Sequence, residues 1–492
     1  MKFDLTNEHK DIIGTIFLAL GIIMLGYMLV SPFNNMIIHV DEFFTISVLN
    51  FPITDLITVI SHDVHPPFHY LLLKIVSDIA GIFGPGVNKL FIYKIVSIIP
   101  YAIILVLSAT KIKNRYGFFT AGLFAFTMAV MSEFLVNYTI VRMYSWAMLF
   151  VILAFIFLRD VIDNNDPKSW GLLTLFSVLA AYTHYFAAIP IVCIYLCLLI
   201  YLYQEDREKL KYWGISVICG IVLFAPWIFA LFGQVTSVSE NFWIPEITFK
   251  TILGFLGYFV TASRHLVTGL VAIVIFIILL VYTARRYNEM EKKDRFYMTC
   301  GFMAYLGTII IGTLFSVLVK PIMVDRYLLP AAAILWFAIA FMLGKIEDKK
   351  VFIISFVLVL LLIAGGISKI DTSNNFYANS NMGKVTFFDQ ISQDNNSIVI
   401  NDAHNRMFYM QYANDTEMYL LNPPSDLYGY DLSEVHDTFN FKEVSKDKIP
   451  KLIKDNKGKN IYILSLKKDY DKNINTTVVL KNNNFVVLKV NN

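Results

Sequence analysis

Two adjacent carboxylates, Asp41 and Glu42, follow the first apolar run of the chain, and a second group of ionisable residues, Asp63 and His65, precedes the corner Pro66-Pro67. Ionisable side chains kept beside a bilayer are costly, and those that persist mark functional sites. A carboxylate in such a place is suited to taking a proton, and a rigid Pro-Pro corner folds its loop back toward a pocket. His39, Asp41, Glu42, Asp63 and His65 also include the residue types that bind a divalent ion. Their spacing is irregular, so a metal is the weaker reading and none is assigned.

Further along, the unusual polar residues stand at the ends of other apolar runs. They are Glu133, the run Asn137 to Tyr144 with Arg142, the group Tyr182-Thr183-His184-Tyr185, the set Gln234, Asn241 and Trp243, and the run Lys320 to Tyr327 with Arg326. Carboxylates beside cations and aromatics fit group transfer from a phosphate-linked donor. A base removes the proton of an acceptor hydroxyl, and fixed cations stabilise the departing phosphate. An Arg fork matches a phosphate in two places, which Lys does not. Spacing alone does not name the reaction.

The elements that must position these residues are membrane helices. The chain has 492 residues, 57% hydrophobic and only 16% charged, where a soluble domain averages about 25% charged. A net charge of +3 is too small for a nucleic-acid partner. Cys193, Cys197, Cys219 and Cys300 all fall in apolar runs, so no disulfide framework is indicated. The first run, 12–30, follows Asp4, Glu8 and Asp11 without a small-residue cleavage site, and reads as a retained span.

With about 20 apolar residues needed per crossing, spans fall near 12–31, 91–110, 117–135, 143–161, 170–183, 185–203, 212–232, 265–284, 297–319, 327–344 and 350–368. Lys and Arg concentrate in alternate loops, such as Lys111 to Arg115, Arg207 to Lys211 and Arg285 to Arg295. The other loops hold only Lys74, Lys89, Arg142, Lys250, Arg264, Lys320 and Arg326. This bias predicts a cytoplasmic amino terminus in a cell membrane, with the acidic pair and the polar tail outside. The cytoplasmic loops then show ordinary basic anchors, while every unusual polar group gathers on the outer face.

Residues 68–83 hold Lys74 and Asp78 and are short, so they read as an interfacial or re-entrant helix started by Pro66-Pro67; 249–262 read likewise. From about Asp371 the chain turns rich in Asn, Asp and Lys. Apolar strands at 397–400, 418–421, 461–464, 478–480 and 486–490 alternate with helical stretches at 404–413 and 447–455. The expected fold class is therefore a polytopic α-helical membrane protein with a C-terminal extracytoplasmic α/β domain. Its parts are a transmembrane domain 1–370, whose first outer loop is 32–90, and a tail domain 371–492. The sequons at Asn137, Asn395, Asn414 and Asn475 fit the Asn-rich composition.

The motifs HVDEFFT (39–45), DVHPPFHYLLLK (63–74), VRMYSW (141–146), YTHYFA (182–187), APW (225–227) with Gln234 and FWI (242–244), and DRYLLP (325–330) occur in one order across the membrane half. In this the chain resembles GT-C glycosyltransferases of the protein O-mannosyltransferase and aminoarabinose-transferase-like group. The resemblance implies a polyprenyl-phosphate sugar donor, an inverting displacement and an extracytoplasmic glycan, lipid or protein acceptor. It implies Asp41 as general base, with Glu42 and Asp63 beside it. It places His65 near the donor phosphate, with Arg142, Tyr144, Arg326, Tyr327 and Lys320 as phosphate or lipid-head ligands. His184, Trp243 and Gln234 are expected to contact acceptor or sugar. The chain departs from the pattern at Ile140, where many relatives carry Glu, and at His65, where the aminoarabinose type carries Lys.

Other readings stay open. Arg142 and Arg326 have the length to snorkel, Trp243 and the paired tyrosines fit an aromatic belt, and His184 reads equally as a structural histidine and as a ligand. A lipid-linked saccharide flippase is the alternative function. Transporters place polar groups near the bilayer midplane, whereas the centres of these spans are almost free of charge.

Overall fold

The computed structural model describes residues 7–34, 40–84, 87–237, 244–259, 289–368, 396–401, 417–421, 426–427, 430–431, 441–465, 474–481 and 486–491, with isolated helical positions between 274 and 285. The chain divides into two units, one of residues 1–34 and 64–372 and the other of residues 35–63 and 373–492.

The first unit is a bundle of helices. In chain order they are α1 (Asn7–Asn34), α4 (Phe68–Ile82), α5 (Lys89–Leu107), α6 (Lys113–Val130), α7 (Ser132–Thr139), α8 (Tyr144–Asn164), α9 (Pro167–Thr183) and α10 (Tyr185–Glu205). They continue with α11 (Leu210–Ser237), α12 (Phe249–Gly257), α13 (Lys292–Leu318), α14 (Leu329–Lys345) and α15 (Lys349–Ser368). Among the described residues, eight segments are long and apolar enough to cross a bilayer. One of them, Lys89–Val130, contains two of the spans expected from sequence, joined by the π-helical turn Ser108–Ile112. The expected crossing at 170–183 is α9, only 17 residues long. Most of the run 265–284 lies outside the described residues. The chain is a multi-pass membrane protein.

Burial sorts these helices. The apolar windows of α8 and α14 are 89% and 94% buried in protein, whereas that of Arg207–Thr236 is 11% buried and turns Phe229 and Phe232 outward. The first two form the centre of the bundle, and the last presents the apolar surface that lipid covers. Stacked rings fill the centre: Phe155 lies 4.2 Å from Tyr297, and Tyr297 stacks on Tyr116 at 5.9 Å. α4 starts at the Pro-Pro corner, as expected. At 15 residues it reaches about 22 Å, short of the roughly 30 Å hydrocarbon core. His69, Tyr70, Leu73, Ser77 and Ala80 make one buried face of α4, while Ile75, Ile79 and Ile82 are exposed.

The basic residues expected to be plain cytoplasmic anchors are in fact paired. Asp160 meets Lys111 and Arg115, Asp294 meets Arg159 and Lys345 at 2.7 Å each, and Asp163 meets Arg159 and Lys293 at 3.0 Å each. Asp160 and Asp294 are buried, so a single cation loosely held in water would not compensate them, and each carries two. This network ties α6, α8, α13 and α14 together at one end of the bundle.

The second unit holds α2 (Val40–Val48) and α3 (Ile53–Ser61) from the first loop, with the sheet and helix of the tail. Its six-stranded sheet is built from β1 (Ser397–Asn401), β2 (Glu417–Leu421), β5 (Phe441–Val444), β6 (Asn460–Ser465), β7 (Thr476–Lys481) and β8 (Val486–Val490) in the order β5-β2-β1-β6-β8-β7. The first four strands are parallel, and β8 and β7 are antiparallel. The strands expected from sequence are present; β5 was not expected, nor was the short antiparallel pair β3 (Asp426–Leu427) and β4 (Tyr430–Asp431). β1 is buried along its whole length, and Ile398, Ile400, Ile461, Ile463 and Leu488 share a core with Ile449 of the last helix, α16 (Ile449–Asp455). Of the expected helical stretches, 447–455 is a 3-10 turn followed by α16, and 404–413 lies outside the described residues. Two lysines, Lys442 and Lys459, clamp Glu417 at 2.7 and 2.9 Å and pull its carboxyl down to about 2.

Candidate functional site

In the membrane unit, four loops bring together the residues expected to bind a donor. The first carries His65 and enters α4 through Pro67, whose carbonyl accepts the Leu71 N–H at 3.0 Å. Phe68 fixes this entry by packing its ring against Trp146 at 6.0 Å and Phe150 at 5.0 Å, both on α8. The second is the tight link from α7 to α8, where the Arg142 N–H donates to the Ile140 carbonyl at 2.9 Å. The third is the turn between α9 and α10. The fourth is the 3-10 turn Asp325–Leu328, which follows a linker folded back on α13: Ser316 Oγ accepts the N–H groups of Ile322 and Met323 at 3.3 and 3.2 Å.

At the centre of these loops lies a cage of rings. The His184 imidazole is 5.5 Å from His65, 5.3 Å from Tyr144 and 4.8 Å from Tyr327, with the Tyr327 contact edge-on. Tyr144 and Tyr327 are 6.5 Å apart, and Phe186 closes the far side 4.8 Å from Tyr327. His65, Arg142, Tyr144, His184 and Tyr327 are all buried, and Arg326 is half-buried.

Burial, reinforced by the two guanidinium groups, keeps the imidazoles neutral. His184 is pushed down to about 3, first by burial and then by Arg142 and Arg326. His65 is driven well below the ordinary imidazole range by burial, by Arg142 and His184, and by Arg326. His69, on the first turn of α4 and fully buried, is also held at about 3, by burial and by Arg142. The cluster therefore carries fixed positive charge from arginine while its histidines serve as uncharged polar groups. Such an arrangement is suited to an ionised phosphate flanked by apolar surface.

The remaining candidates fall elsewhere. Gln234, buried on α11, accepts a hydrogen bond from the Tyr185 hydroxyl, and that hydroxyl accepts one from Trp227 Nε1 at 2.9 Å. This chain ties α11 to the start of α10, next to His184. Lys320 is half-buried on the linker before the Asp325–Leu328 turn. Trp243 lies outside the described residues. Asp41, Glu42 and Asp63 belong to the second unit: Asp41 and Glu42 lie on α2, with Glu42 fully buried, and Asp63 is buried just past α3. The side chain of Asp41 is outside the described set. Among the described residues, no three His, Cys, Asp or Glu side chains form a group that would hold a metal ion.

Sequence reasoning passed over His69, Phe186 and Tyr258, and gave Glu133 no partner. The Tyr258 hydroxyl donates to Glu133 Oε2 at 2.9 Å, and Glu133 also lies in the fields of Asp325 and Arg326. The sequence signal for His69 was its place in the motif DVHPPFHYLLLK, two residues past the Pro-Pro corner.

Solved structures that share this fold include two of ArnT from Cupriavidus metallidurans, one in the apo state and one bound to undecaprenyl phosphate. Each has a TM-score of 0.61 at 11% identity, covering 96% of this chain and 97% of ArnT. The chain thus shares the membrane fold of ArnT and has a C-terminal sheet domain. No protein-family model matches the sequence, and no curated protein matches it.

Proposed function

We propose that this protein is an integral-membrane glycosyltransferase. In this reading it moves a sugar from a polyprenyl-phosphate donor to the hydroxyl of an extracytoplasmic acceptor, which is a protein, lipid or glycan. The observation that carries the reading is the ring cage of His65, Tyr144, His184 and Tyr327 standing in the field of Arg142 and Arg326. Agreement of fold with ArnT, whose structure holds undecaprenyl phosphate, supports a lipid-phosphate ligand.

The chemistry is a single inverting displacement. The carboxylate of Asp41 takes the acceptor's hydroxyl proton as the oxygen attacks the anomeric carbon, with Glu42 and Asp63 orienting. The bond from that carbon to the phosphate oxygen breaks, and the phosphate departs with the electron pair. Arg142 and Arg326 neutralise it, helped by Tyr144, Tyr327 and Lys320, with His65 beside the phosphate. In the same reading the amino terminus is cytoplasmic, residues 1–370 form the membrane domain, and residues 371–492 lie outside the membrane near the acceptor. Trp243 and Gln234 contact the acceptor or the sugar.

The test is transfer by reconstituted protein from a polyprenyl-phosphate sugar. Asp41→Asn is expected to lower the rate by about 10²–10⁴-fold or more while insertion and folding are unchanged. Full activity in that variant overturns the assignment of the base.

A further inference from the structure

His184 uses its two ring nitrogens differently. Nδ1 accepts the backbone N–H of Phe186 at 3.1 Å and so N-caps α10. A neutral imidazole nitrogen that accepts is the bare one, so the proton sits on Nε2. The cap therefore fixes the tautomer. Nε2 is itself buried and has no hydrogen-bond partner among the described residues. Buried donors without an acceptor are rare in folded proteins, and one enclosed by the side chains of a candidate binding site marks where a ligand atom belongs.

The surroundings define that atom. The rings of His65, Tyr144 and Tyr327 enclose the imidazole, and the charged groups acting on it are the guanidinium groups of Arg142 and Arg326. Guanidinium groups only donate, and so does His184 Nε2. A sugar hydroxyl accepts from at most two donors and keeps a proton of its own that needs an acceptor, whereas an ionised phosphate oxygen carries charge and accepts from several donors at once.

We propose that His184 Nε2–H donates to a non-bridging phosphate oxygen of the lipid-linked ligand, as an uncharged third donor beside Arg142 and Arg326. This rests on the reading of the pocket as a polyprenyl-phosphate site. His184 is then a binding residue for the phosphate, where the sequence pointed to sugar or acceptor.

Two substitutions separate the nitrogens. In His184→Asn the side-chain oxygen still caps α10, since Asn is among the best N-caps, but the donor no longer reaches the pocket. In His184→Gln the longer amide supplies a donor at the depth of Nε2 and gives up the cap. Binding of undecaprenyl phosphate, with undecaprenol as the uncharged reference, is measured for the full-length protein in nanodiscs together with its melting temperature. His184→Asn is expected to melt as the parent does and to bind the phosphate roughly 10- to 100-fold more weakly. His184→Gln is expected to melt lower and to keep its affinity within about threefold. Parental affinity in His184→Asn overturns the proposal and leaves the pocket reading intact. A parent protein that does not prefer undecaprenyl phosphate over undecaprenol overturns the pocket reading itself.

Discussion

Tyr258 and Glu133, 125 positions apart in the chain, meet in a hydrogen bond of 2.9 Å from the tyrosine hydroxyl to the carboxylate. Tyr258 closes the end of α12, and the residue after it is pinned as well: Phe259 N–H donates to the Tyr305 hydroxyl at 3.3 Å, and its carbonyl accepts from Trp336 Nε1 at 2.5 Å. The short helix thus leads into a firmly docked end, and Glu133 is one of its anchors.

That anchor has a pH signature. Burial raises the Glu133 carboxyl and Asp325 adds to the rise, while the Tyr258 hydrogen bond and Arg326 oppose it. A carboxyl raised on folding is held more tightly by its proton in the native state, so its favourable contribution exists in acid and is lost as pH rises through the folded value. Glu133→Gln should therefore raise the melting temperature near pH 7, by about 1–3 °C, with the gain vanishing toward pH 4. Tyr258→Phe should do the reverse at pH 7, because the carboxylate loses its donor. A Glu133→Gln variant that melts lower at pH 7 than at pH 4, relative to the parent, would count against this account.

The three buried imidazoles give a second, opposite dependence. His69 and His184 are held at about 3 and His65 well below its ordinary value, so the unfolded chain takes protons that the folded one refuses. Their contribution is full above about 6.5 and falls as pH drops toward about 3. Three such sites impose at most about 4 kcal/mol per pH unit. Melting curves at pH 7.5, 6 and 5 should show a falling midpoint, and His69→Gln should remove about one third of the imidazole-dependent slope. An unchanged slope in that variant would mean that His69 is not held neutral.

How far the sequence reached depended on whether the relevant signal was local. The membrane helices were legible because each is written as one apolar run, and β1, β2, β6, β7 and β8 because short apolar runs stand between polar segments. The strand Phe441–Val444 was missed because Phe-Lys-Glu-Val carries two charges and lies at the sheet edge, where charged residues are tolerated. At the candidate site, Arg142, Tyr144, Arg326 and Tyr327 were legible as polar residues at span ends. Glu133 was legible in the same way, but its bond to Tyr258 joins residues far apart in sequence and left no mark. For His184 the sequence left a structural role and a ligand role level. Its Nδ1 caps α10 while its Nε2 has no hydrogen-bond partner among the described residues, a distinction that no sequence position encodes.

The tightest contact in the bundle offers the last prediction. α1 crosses α6 where Gly14 and Gly122 face each other, and a Cβ on Gly122 would stand 2.7 Å from the Gly14 carbonyl carbon. A Cβ on Gly14 would collide with the Phe118 carbonyl and the Phe119 nitrogen. Both obstacles are backbone, so no side-chain rotation relieves them. Small residues allow this approach, and helix association within a membrane relies on such packing more than on the hydrophobic effect. Gly14→Leu should therefore force α1 away from α6 and lower the yield of folded protein several-fold. Gly26→Leu, on the same helix with nothing within 4 Å of its Cβ, should leave the yield near that of the parent. Size-exclusion recovery after detergent extraction, compared across the two variants, decides between close backbone packing and a general intolerance of bulk in α1. Equal recovery would show that α1 is free to shift without loss.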